Sequence, residues 1–296
     1  MADKDSSLGI ILIELDMSED AKTLPKLNRV NKNNPRPAMK INSVDWTCPS
    51  LETERAGIHG TGHLILPAWQ NLEAKVYSRR IQDKGSYSEL SSYCLKNLDQ
   101  IVDMDFDLLS DPRIREVIHL IADNKDKAML LEVEAPFTVL AALINPMDLY
   151  LCMEDKDQED LLIRILHQIA DASAKYIQAC LEAGCRIISL ADPAGTMNLV
   201  GEKCYVKICG ESEIYLMKRC RPYLRNAITH ICRRMSLSLM LADLVKMHPY
   251  HSVGRVRSHM DILIRMADDP EILFTGMTCI HNKKPDLNNS YVIEVK

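Results

Sequence analysis

The chain has 296 residues, enough for one large domain or two ordinary ones, and its 47% hydrophobic and 26% charged content is that of a globular protein. A net charge of -5 excludes a general nucleic-acid binder, because phosphate neutralisation needs a basic surface. No run approaches the roughly 18 apolar residues of a membrane span. The acidic start, MADKDSSLGIILIELD, inverts the basic-then-apolar order of a secretory signal, so a cytoplasmic protein is expected.

Residues 1–45 differ in character from the rest of the chain. KLNRVNKNNPRPAMK is basic, rich in Asn and Pro and without apolar periodicity, which reads as an N-terminal extension or linker before a domain spanning 46–296. His59 and His63, in GIHGTGH, fall in a glycine-containing loop with structural or surface roles.

From about residue 85 helix-like and strand-like segments alternate. DPRIREVIHLIADN spaces Ile114, Val117, Ile118 and Ile121 as a helix does, with Pro112 in its first turn. AMLLEVE reads as a buried strand, and EDLLIRILHQIADASAKYIQACLEAG as a long amphipathic helix stopped by Gly184. RIISLAD is the next strand. SEIYLMKRCRPYL reads as a helix, NAITHIC as a strand, SHMDILIRMADD as a helix closed by Pro270, and EILFTGMTC as a strand. The cluster HPYH, His248 to His251, reads as an exposed loop. Helix then strand with short connections is the pattern of a parallel α/β fold.

The chemistry-capable residues lie at strand ends. Pro136 follows AMLLEVE, Asp192 ends RIISLAD, His230 and Cys232 end NAITHIC, and Cys279 ends EILFTGMTC. Parallel strands point one way, so these ends share one rim, where α/β barrels and open sheets both bind ligands.

The ten cysteines are scattered singly with no CxxC pair, so most are expected to be small buried hydrophobes. His230 and Cys232 are the exception. Residues i and i+2 of a strand face the same way, about 6.5 to 7 Å apart, and Cys279 is placed to join them. One imidazole and two thiolates suit Zn²⁺, with the fourth position left for substrate. The bland alternative is a buried histidine beside core cysteines. His281 is a further candidate, more often solvated than ligating. Cys209, in KICG, reads as a loop cysteine, since the lysine in place of histidine is a poor zinc ligand. Asp192 either orients a ligand or binds substrate, or else caps a helix starting at Pro193.

Taken together, VEAPFTVLAALI, CLEAGCRIISLADPAGTMNLVG, NAITHICRRMSLSL and TGMTCI resemble the uroporphyrinogen decarboxylase superfamily, in its corrinoid-dependent branch of methylcobamide:coenzyme M methyltransferase type, over about residues 98–282. The resemblance implies a (β/α)8 TIM-type barrel, shortened or altered in its N-terminal part, with zinc on His230, Cys232 and Cys279. It implies a catalytic Asp192 and cofactor contacts at Pro136 and Phe137. It also implies methyl transfer between a corrinoid (cobalamin) on a partner protein and a small methyl donor or acceptor such as a thiol, with no nucleic acid or membrane partner and room for a homo-oligomer. Ala135 and Arg233 stand where the family carries glycine, an expected loss of backbone freedom. An arginine-bearing N-terminal motif (roughly RQAGR) is missing, which disfavours decarboxylation of a polycarboxylate porphyrinogen. A relative that binds ligand or corrinoid protein without zinc chemistry is the rival reading. A zinc hydrolase ranks last, for want of a motif such as HExxH.

Overall fold

The computed structural model describes residues 64–66, 80–84, 87–92, 95–102, 106–125, 128–252, 259–280 and 290–296. The expected extension 1–45 and the candidates His59, His63 and His281 lie outside these residues.

A seven-stranded sheet organises the chain: β1 (Leu64–Leu66), β4 (Met129–Glu134), β5 (Ile187–Ala191), β6 (Ile228–Cys232), β8 (Phe274–Thr278), β9 (Tyr291–Val295) and β7 (Val245–Pro249), in that spatial order. The first five run parallel. β9 and β7 continue the sheet antiparallel, and β2 (Arg80–Lys84) and β3 (Tyr87–Ser92) form a separate antiparallel ribbon. The α/β class expected from the alternation holds. Among the described residues the sheet does not close on itself.

The helices follow the capping chemistry. α1 (Pro112–Asp123) precedes β4; α2 (Pro136–Leu143), α3 (Pro146–Glu154) and α4 (Lys156–Ala183) connect β4 to β5. Asp155 caps α4 through the amide of Asp157, and Gly184 ends it in a left-handed turn at φ 119°. α5 (Gly210–Cys220) connects β5 to β6, while α6 (Arg233–Leu241) and α7 (His259–Ala267) flank β7. HPYH is therefore not all loop: His248 lies on β7, exposed, with Nε2 3.2 Å from Glu294.

The strands alternate as a two-faced sheet must. Leu131, Val133, Ile188, Leu190 and Ile231 enter the main core with α2, α4 and α5. Leu130, Ile187 and Ile228 face the other way, against Met260, Leu263 and Met266 of α7. Each such side chain contributes about 1.5–3 kcal/mol on burial. α7 thus covers the face that a closed barrel would fill with strand side chains. No single helix among the described residues is long and apolar enough to cross a membrane.

Candidate functional site

The predicted rim exists. β4, β5, β6 and β8 are parallel neighbours, so Ala135, Asp192, Cys232 and Cys279 all follow or end their carboxyl ends. On β6, Ile228 packs on the α7 side and Ile231 in the main core. His230 and Cys232 therefore share the α7 side, as the period of two requires.

The thiol of Cys232 hydrogen-bonds to Cys279. That contact, then burial, then the charge of Cys279 push the Cys232 thiol well above its ordinary value. Both cysteines are half-buried, whereas Cys180, Cys185, Cys204, Cys209 and Cys220 are buried, as expected of core cysteines. Arg234 on α6 brings a guanidinium to the same place, near Cys279.

His230 is fully buried. Its Nδ1 lies 3.0 Å from Ser189 Oγ, directly across the β5–β6 pair, and its Nε2 lies 3.1 Å from Thr278 Oγ1. Thr278 Oγ1 in turn lies 2.7 Å from Nε2 of His259, whose ring stands edge-on to His230 at 5.6 Å between centroids. Burial lowers the His259 pKa to about 4, so that ring is neutral at ordinary pH. Among the described residues, no three His, Cys, Asp or Glu side chains come together in a set able to hold a metal ion. The sulfurs meet, while the expected imidazole donor is engaged by the residue just before Cys279. In kind, one imidazole and two sulfurs fit zinc; loading such a site requires His230 Nε2 to give up Thr278 Oγ1.

A β-bulge explains this placement. His230 pairs with Thr275 and Cys232 with Thr278, so β8 takes three steps where β6 takes two. The extra residue falls at Gly276–Met277. Met277 sits at φ 68°, strained for a side chain of its size, and its amide donates to Ser236 Oγ at 3.1 Å. The bulge turns Thr278, not Cys279, toward the imidazole. A Cβ at Gly276 would strike Ser236 Oγ and come to 2.6 Å from Ile293 Cδ1, so only glycine fits.

Asp192 is buried at the end of β5. Its Oδ1 accepts from Thr138 N at 2.9 Å, Thr138 Oγ1 at 2.5 Å and Gly195 N at 3.2 Å. It is a helix cap, but of α2 rather than of a helix at Pro193. Ala135, at the start of α2, makes no side-chain cap, and Asp192 supplies the missing acceptor from another strand. Asp192 Oδ2 and Glu213 Oε1 are both buried without a hydrogen-bond partner, on two carboxyls close enough to interact. Burial raises Asp192 to about 6 against its hydrogen bonds, and burial followed by the Asp192 charge raises Glu213 well above the carboxylate range. Tyr205 donates to Glu213 Oε2 at 2.6 Å.

Phe137 is enclosed in the core and stacks on Tyr150, with centroids 6.0 Å apart, and Pro136 is buried at the first position of α2. Cys209 is not in a loop: it is buried in a π-helical stretch, Tyr205–Cys209, that runs into α5. Neither departure from glycine strains the chain. Ala135 is extended at φ -75°, ψ 162°, and Arg233 is the first residue of α6. A cavity lined by Phe106, Leu108, Leu109, Ala172 and Lys175 includes none of the candidate site residues.

A mostly parallel α/β sheet with a polar cluster at the carboxyl ends of adjacent strands defines the class of protein. A family model, uroporphyrinogen decarboxylase (URO-D), matches residues 81–262, more than half of the chain, and the chain belongs to that family, whose fold is a TIM barrel. No curated protein matches the chain. Among solved structures, a methyltransferase from Methanosarcina mazei is similar, with a TM-score of 0.50 and 19% identity over 62% of this chain. The match spans 54% of that protein's length and supports the fold alone.

Proposed function

We propose that the chain is a zinc-dependent methyltransferase that moves a methyl group between a corrinoid on a partner protein and a small substrate such as a thiol. The observation that carries this reading is the Cys232–Cys279 sulfur pair at the carboxyl ends of neighbouring parallel strands, with His230 on the same face of β6. Family membership and the likeness to a methyltransferase fold support it.

In this reading His230, Cys232 and Cys279 hold the metal. Bound there, zinc supplies a Lewis acid that stabilises a substrate thiolate or activates a methylated heteroatom. The chain's own residues do the rest. Ser189 orients the imidazole through Nδ1, Arg234 sets positive charge beside the sulfur of Cys279, and α7 shields the His230 side of the sheet. Asp192 acts through backbone: it fixes the start of α2 and the 192–195 turn at the same rim. Zinc analysis, followed by demethylation of methylcobalamin with a panel of thiols, tests the proposal. Zinc-dependent transfer that is lost in Cys232→Ala and Cys279→Ala is the expected result.

One observation favours a second reading, a family member that binds a ligand or corrinoid protein without zinc chemistry: the Nε2 of His230 is engaged by Thr278. A wild-type protein without zinc after purification under metal-replete conditions selects that reading.

A further inference from the structure

We infer that His259, acting through Thr278, is a positioning residue that sets which ring nitrogen of His230 carries hydrogen; the inference deepens the zinc reading above and rests on it. Four side chains form one line: Ser189 Oγ to His230 Nδ1 at 3.0 Å, His230 Nε2 to Thr278 Oγ1 at 3.1 Å, and Thr278 Oγ1 to His259 Nε2 at 2.7 Å. All four residues are buried, so water does not readily take the place of a missing partner.

The hydroxyl of Thr278 has a single hydrogen and faces two Nε2 atoms. It donates to one ring and accepts from the other, so the hydrogens of the two imidazoles are linked. When His259 Nε2–H donates to Thr278, Thr278 donates to His230, whose Nε2 then presents a lone pair and whose Nδ1–H donates to Ser189. In the opposite polarity His230 Nε2 carries hydrogen and offers no lone pair on that side. Only the first arrangement suits an imidazole that exchanges its hydroxyl partner for a cation, with its second nitrogen anchored by a neighbour. The 259–278 link is therefore part of the site although His259 is no ligand in this reading. Its place at the start of α7 ties the helix on the inner face to the strand-end chemistry.

Nitrogen-15 ring spectra of the metal-free, full-length protein test this. The expected result is the Nδ1–H form of His230 in the wild type, a loss of that preference in His259→Phe, and its return in His259→Gln, which retains an N–H donor. Zinc affinity should fall in His259→Phe, whose His230 must first move its hydrogen off Nε2, and recover in His259→Gln. The Nε2–H form in the wild type, or an unchanged His230 form in His259→Phe, overturns the inference. Should His259→Phe not fold, Thr278→Ser and Thr278→Val decide by the same spectra, with the Nδ1–H preference kept in the first and lost in the second. A wild type with the Nδ1–H form that binds no zinc leaves the relay standing and contradicts the zinc reading.

Discussion

The thiol of Cys232, at the end of β6, hydrogen-bonds to Cys279, just beyond the end of β8. The chain brings the two together by laying β6 and β8 side by side and adding one residue to β8. Two sulfurs in contact at neighbouring strand ends can be joined by a disulfide, and oxidation is the direct check of their contact. Hydrogen peroxide takes two hydrogens from the pair, forming one S–S bond and two waters. Mass analysis of the peroxide-treated protein should find a peptide crosslinked through Cys232 and Cys279 and a loss of zinc uptake. Crosslinks made only elsewhere contradict the contact.

The paired carboxyls of Asp192 and Glu213 make stability depend on pH. Both groups are raised in the folded chain, Asp192 from 3.8 to about 6 and Glu213 well above 4.5, so folding takes up protons. Their contribution is complete below about pH 4 and is lost as pH rises through 6 and beyond; for Asp192 alone the loss is roughly 3 kcal/mol. Asp192→Asn keeps the hydrogen bonds to α2 and removes the titration. Unfolding free energies between pH 4 and 7 should gain in the variant relative to wild type as pH rises. Parallel pH profiles contradict the raised titration of Asp192.

The bulge on β8 yields two opposite effects. Gly276→Ala forces a Cβ against Ser236 and Ile293 and should cost about 1–3 kcal/mol in denaturant unfolding. Met277→Gly relieves a left-handed φ of 68° that costs a non-glycine residue about 1–2 kcal/mol. It should be neutral or stabilising, because Met277 is only partly buried. A large loss of stability in Met277→Gly contradicts the strain.

The cap between Asp192 and α2 is long-range, and its loss should be larger than that of a local cap. Thr138→Val removes the 2.5 Å and 3.0 Å hydrogen bonds made by Oγ1 to Asp192 and from Ala194 N, leaving buried groups short of partners. The expected destabilisation is about 1–3 kcal/mol. A change under a few tenths, measured by chemical denaturation, contradicts the role given to this contact.

Much of this was legible in the sequence, for identifiable reasons. The strands ending at Glu134, Ala191, Cys232 and Thr278 announced themselves as short apolar runs after helices with regular spacing, and Gly184 marked its helix end. Strand periodicity placed His230 and Cys232 on one face. α2 was hidden because PFTVLAAL is apolar all round and shows no stripe. β7 and β9 were hidden because their antiparallel pairing breaks the alternation. The π-helical stretch at Cys209 read as a loop because its pattern follows no helical period of 3.6. Asp192 was visible as a residue but not as the cap of α2, a partner 54 positions earlier. Glu213 did carry a signal: it shares the i, i+3, i+4, i+7 face with Leu216, Met217 and Cys220, where a carboxyl demands a partner. Thr278 and His259 carried none, because the bulge that joins them to His230 is a tertiary feature.

Metal analysis of the purified full-length protein, beside Cys232→Ala and Cys279→Ala, bears most directly on the proposed chemistry. Zinc in one-to-one proportion with the wild-type chain, and its loss from both variants, is the expected result. Wild-type protein that carries no zinc under metal-replete conditions, or variants that keep it in full, would contradict that chemistry.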